Sequence, residues 1–143
     1  MSLTKEYPFI KPILENSNVI VYTMPPNLEN INNFLKKKET NPIIGSDKVI
    51  PLLSRSDENS GYNVKNATRY MKEKETIATI PYNVRFMEAT NEAGAASFFA
   101  NMKLSKSKYD INQNFIEEVE RASVQIIDKI KALQKQIQLT TPK

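Results

Sequence analysis

The chain has 143 residues, of which 40% are hydrophobic and 25% charged, and a formal net charge of +4 at pH 7. This size and balance fit one domain around one modest core and argue against wholesale disorder. There is no cysteine and no histidine. A disulfide framework, thiolate chemistry, the usual zinc sites and Ser-His or Cys-His nucleophile pairs are therefore excluded.

Apolar runs such as Val19-Ile20-Val21-Tyr22 are far too short to span a bilayer, and Met1–Glu6 lacks the apolar core of a signal peptide. The expectation is a cytoplasmic protein. The mildly basic charge suits nucleic acid only if it is concentrated in one patch.

Along the chain, Tyr7 to Glu15 carries Phe9, Ile10, Ile13 and Leu14, a short helix limited by Pro8 and Pro12. Asn18 to Met24 is a continuous apolar and β-branched run, as in a parallel strand covered on both faces, and Pro25-Pro26 stops it. Asn27 then caps a helix with Leu28, Ile31 and Leu35 on one face. Lys36-Lys37-Lys38 closes it, where cations suit the carbonyl end of the dipole; a DNA-binding patch is the less favoured reading. Lys48 to Ser54 is a second strand in which Pro51 requires a bulge or an edge position. Arg55 to Tyr62 is a polar loop.

Asn63 caps a further helix with Val64, Ala67, Thr68 and Met71 on one face. Thr76 to Ile80 is a third strand, ended by Pro81. Short helices over Arg85–Asn91 and Gly94–Lys103 bury Phe86, Ala89, Phe99 and Met102. Asp110 to Leu139 is the longest helical signal. Its stripe of Phe115, Val119, Ala122, Ile126, Ile130, Leu133 and Ile137 ends before Thr140-Thr141-Pro142. Packing on the sheet or on a neighbouring helix is the favoured use of that stripe, ahead of a coiled coil or a membrane-surface helix.

Strand and helix thus alternate in a βαβ rhythm. It implies one α/β domain over 1–143: a three-layer unit over 7–104 with a short parallel sheet of about three strands joined by βαβ crossovers, and a long terminal helix over 110–139.

Chemistry-bearing motifs are sparse. Gly45, Gly61 and Gly94 are isolated, and neither GxxxxGK[ST] nor GxGxxG occurs. Glu117, Glu118 and Glu120 sit near Arg121 and Lys129, where ion pairing within a helix accounts for them, and Asp57-Glu58 makes at best a weak magnesium candidate. No catalytic residue and no metal ligand is assigned. The turns after the three strands would share the carboxyl rim of the sheet, either as a ligand site or as ordinary βα turns.

The order of three segments carries a resemblance. Ser17-Asn18-Val19-Ile20-Val21 with its Pro turn and helix, the second strand ending Ser54-Arg55, and Ile80-Pro81 followed by Glu88-Ala89 and Gly94 together resemble the C-terminal half of ParA/MinD-type deviant P-loop ATPases, over roughly Phe9 to Met102. A Tad/CpaE-like pilus-assembly relative is one plausible branch.

The resemblance implies that Pro81, Tyr82 and Asn83 cover an adenine base. Ser54 takes the place of a base-reading Asn, and Arg55 the basic position after it. A hydroxyl cannot reproduce the two-point contact of an amide.

The family's phosphate loop and its aspartate should precede Tyr7 and are absent. The chain then reads either as an excised segment, which Met1-Ser2-Leu3 favours, or as a stand-alone relic. On the resemblance it supplies the adenine-side wall and a dimer or partner surface of a positioning ATPase. It would engage ATP-Mg only with the missing half present, and is not by itself an enzyme. The alternative is a non-enzymatic interaction module that uses the last helix to bind a protein partner or a second copy. Non-specific DNA binding through Lys36–Lys38 is a weaker third reading.

Overall fold

The computed structural model describes residues 8–104 and 111–140. Expectations for Met1–Glu6, Tyr7, Asp110 and Thr141-Pro142 lie outside the described residues.

Nine elements follow in order: α1 (Ile10–Asn16), β1 (Ile20–Met24), α2 (Leu28–Thr40), β2 (Val49–Ser56), α3 (Val64–Tyr70), β3 (Ala78–Pro81), α4 (Val84–Asn91), α5 (Ala95–Leu104) and α6 (Ile111–Thr140). The sheet is wholly parallel in the order β1-β2-β3, with Ile20 opposite Val49 and Leu52 opposite Ala78. This is the α/β architecture that the sequence implies.

Local chemistry sets the helix starts. The Asn27 and Asn63 side chains accept from the amides of Asn30 and Asn66, at 2.9 and 3.0 Å, as N-caps of α2 and α3. The end of α1 is held from a distance, because Lys48 Nζ donates to the carbonyls of Leu14 (2.7 Å), Glu15 (3.2 Å) and Ser17 (3.1 Å).

Three strand expectations are corrected. β1 begins at Ile20, where Val49 first provides a pairing partner. β2 continues through Arg55 and Ser56, which were read as loop, and its bulge is at Arg55 rather than Pro51. Pro51 is tolerated because pairing with β3 begins only at Leu52. At that level one flank of β2 has no ladder, and a missing donor there costs little. β3 runs from Ala78 to Pro81 instead of from Thr76 to Ile80. The Ile77 amide is diverted to Thr68 Oγ1 (3.2 Å), and the Thr76 carbonyl accepts from Gln125 Nε2 (2.8 Å).

The two faces of the sheet are covered by different helices. On one side Met24 and Leu53 pack with Ile31 and Phe34 of α2 and with Ala67 and Met71 of α3. On the other, Leu52 and Ala78 meet Ala122 and Ile126 of α6. A satellite core gathers Phe86, Phe98, Phe99 and Phe115, with ring centroids 5.1 to 6.2 Å apart, and joins α4, α5 and α6.

α6 has 30 residues and so is about 45 Å long, whereas the eight residues of β2 span about 26 Å. Its far end has no sheet left to cover, and Ile137 and Leu139 are 60% and 82% exposed. Among the described residues no helix is long and apolar enough to cross a membrane.

Leu53 is fully buried at the centre of the larger core. Leu53→Ala is expected to cost about 3 kcal/mol in a denaturant titration, and Leu53→Met less than about 1.5 kcal/mol, because the second change preserves volume.

Candidate functional site

Parallel strands end on one side, so the turns after Met24, Ser56 and Pro81 form a common rim at the carboxyl edge of the sheet. The middle of that rim is shaped by the bulge in β2. Ser54 pairs with Ile80 and Ser56 with Pro81, which leaves Arg55 unpaired at φ 54°. This left-handed backbone costs a non-glycine residue about 1 to 2 kcal/mol.

The bulge turns Arg55 out to solvent and Ser56 in. Thr79 Oγ1 donates to the Leu53 carbonyl at 3.2 Å and shares a hydrogen bond with Ser56 Oγ at 2.5 Å, so this buried pair fixes the bulge against β3. The Tyr82 amide then donates to the Ser56 carbonyl (3.0 Å), carrying the chain alongside β2 for one residue past the end of β3.

The five residues assigned from the sequence are brought to this one rim, with different surroundings. Arg55 and Tyr82 are exposed, and Ser54 and Pro81 are half-buried. The Arg55 guanidinium and the Ser54 hydroxyl make no hydrogen bond among the described residues. Asn83 is buried and its carboxamide is engaged. Its Oδ1 accepts from the Phe86 amide (2.8 Å) as the N-cap of α4, and its Nδ2 donates to Asn112 Oδ1 of α6 (3.0 Å). Asn83 therefore joins the rim to the last helix through its side chain, and what it offers a ligand is its backbone. Asn112 was not singled out from the sequence. A polar residue breaking the apolar stripe at the start of α6 was the available signal.

Several of the remaining candidates have structural partners. Asp57 Oδ1 accepts from the Asn59 amide (2.9 Å) in a turn. Glu118 pairs with Arg121 one turn along α6, as the ion-pairing reading implies. The three lysines closing α2 diverge: Lys37 Nζ lies 3.4 Å from Tyr22 Oη, Lys38 bridges to Glu73 at 3.2 Å, and Lys36 is exposed. Among the described residues no cluster of three or more acidic side chains could hold a metal ion.

The rim thus offers an exposed aromatic residue, Tyr82, and an exposed cation, Arg55, on adjoining backbone. That combination suits a flat heterocycle or a ribose. No glycine-rich turn accompanies it to take a triphosphate. No family model matches this chain, and no curated protein or solved structure matches it.

Asn83→Ala removes a helix cap and the donor to the buried Asn112 Oδ1. A loss of about 1 to 3 kcal/mol is expected in urea unfolding. Asn83→Ser keeps a capping oxygen and loses the bond to Asn112, so it should fall between wild type and the alanine variant.

Proposed function

We propose that this chain forms the C-terminal half of a ParA/MinD-like positioning ATPase working in the cytoplasm. It contributes the base-side wall of the nucleotide site, while a lysine-bearing phosphate loop comes from polypeptide outside these residues.

The observation that carries this reading is the carboxyl rim of a wholly parallel βαβαβ unit. There the strained Arg55 bulge and the Tyr82 turn stand side by side, with the Tyr82 ring 49% exposed. Strain retained at an exposed, otherwise unpartnered residue is a common mark of a ligand-facing position. Ser54, Arg55 and the Pro81-Tyr82-Asn83 turn would line the base, with Asn83 contributing backbone because its side chain is engaged in the fold. The residues present fit the base end of ATP and not its phosphates. With Mg-ATP, this chain alone is expected to show no turnover above a no-protein control in a phosphate-release assay. Measurable hydrolysis abolished by Tyr82→Ala would overturn the proposed division of labour.

A second reading, a protein-interaction module built on α6, is favoured by the overhanging end of that helix. There the apolar stripe runs on through Ile130 and Leu133 to Ile137, which is 60% exposed. Light scattering tests it. Apparent mass is expected to rise with concentration and to return to that of a monomer in Leu133→Asp/Ile137→Asp. A mass that neither concentration nor the double substitution changes would count against self-association through α6.

A further inference from the structure

Among the described residues no strand pairs with the edge of β1 away from β2. The Ile20 amide donates to the Lys48 carbonyl at 2.8 Å. Backbone groups of a parallel strand alternate in direction, so Ile20, Tyr22 and Met24 face β2 while Val21 and Thr23 direct their N–H and C=O groups outward. β1 has no proline, no bulge and no charged side chain along its five residues, three of the features that protect an edge strand.

Beside this edge runs a trough of about 880 Å³. The consecutive residues Tyr22, Thr23, Met24 and Pro25 all border it. Successive side chains of a strand point to opposite faces, so only the strand's edge can present all of them to one cavity. The outer wall is the flank of α2, with Asn30, Asn33, Lys36 and Lys37, and α1 adds Lys11 and Glu15. Three lysines against one glutamate make the trough basic. Lys11 and Glu15 are 3.9 Å apart and both solvated, so their pairing offsets little of that charge.

We propose that β1 takes up an acidic extended segment of a partner protein as a fourth strand. Its backbone would pair with Val21 and Thr23, and its alternate carboxylates would reach Lys36 and Lys37 under the flank of α2. Of the carboxyl rim only the turn after Met24 borders the trough, and Ser54, Arg55 and Tyr82 do not. The inference therefore stands independently of the nucleotide reading.

The probe is a blocked heptapeptide, acetyl-Thr-Glu-Val-Glu-Val-Glu-Thr-amide, titrated into the isotope-labelled chain at low salt. The Val21 and Thr23 amides are expected to shift and to gain protection from exchange, and binding should weaken as salt rises. Lys36→Glu/Lys37→Glu should reduce affinity by about tenfold or more. Val21→Pro should abolish binding with the melting temperature retained, because only an outward-facing donor is lost. A peptide N-methylated at alternate residues tests the same backbone pairing without altering the protein, and it should not bind. The proposal is overturned if the peptide with Lys in place of Glu binds equally well, if the protected amides lie away from β1, or if millimolar acidic peptide leaves the spectrum unchanged.

Discussion

The fold depends on burying the central strand from both sides. Leu52 and Leu53 are neighbours in sequence and point to opposite faces, and both are almost wholly inaccessible to solvent. One is met by α6 and the other by α2 and α3. Neither helical layer could be removed without exposing one of these leucines, which is why β2 opens with the apolar run Val49–Leu53. The same requirement sets the limits of the molecule. Where α6 runs past the sheet its stripe is uncovered, and where β1 ends the sheet no described strand pairs with its outer edge.

Much of this was legible in the sequence because it is local. Asn27 and Asn63 announce helix starts, and the spacing from Phe115 to Ile126 announces the packed half of α6. The apolar run to Met24 announces a strand, but not the expected cover on both faces, because at the edge of the sheet Val21 and Thr23 are exposed. The misread features depend on neighbours far along the chain. Pro51 is acceptable in a central strand only because β3 starts one residue later in register, and no pattern within Lys48–Ser54 reveals that. The left-handed conformation of Arg55 has no glycine or asparagine to signal it, since it is imposed by the pairing of Ser56 with β3. The capping role of Asn83 could have been recognised from its place before Val84 and Phe86. Its second partner, Asn112, lies 29 residues away and could not.

The candidate site shows how support and recognition divide along one short turn. Pro81 closes the strand, Tyr82 stays exposed, and Asn83 turns inward to hold α4 and α6. The backbone beside the exposed ring is thereby tied to α4 and α6. Ser54, Arg55 and Tyr82 do not border the trough beside β1, so a ligand at those residues need not exclude a strand on the β1 edge.

The assignment of the rim to a nucleotide base is tested most directly by amide chemical shifts during a titration of the isotope-labelled chain with adenosine at millimolar concentration. Shifts confined to Ser54, Arg55, Ser56, Tyr82 and Asn83, and lost in Tyr82→Ala while the remaining spectrum is preserved, are the predicted result. An unchanged spectrum, or shifts clustered elsewhere on the chain, would contradict it.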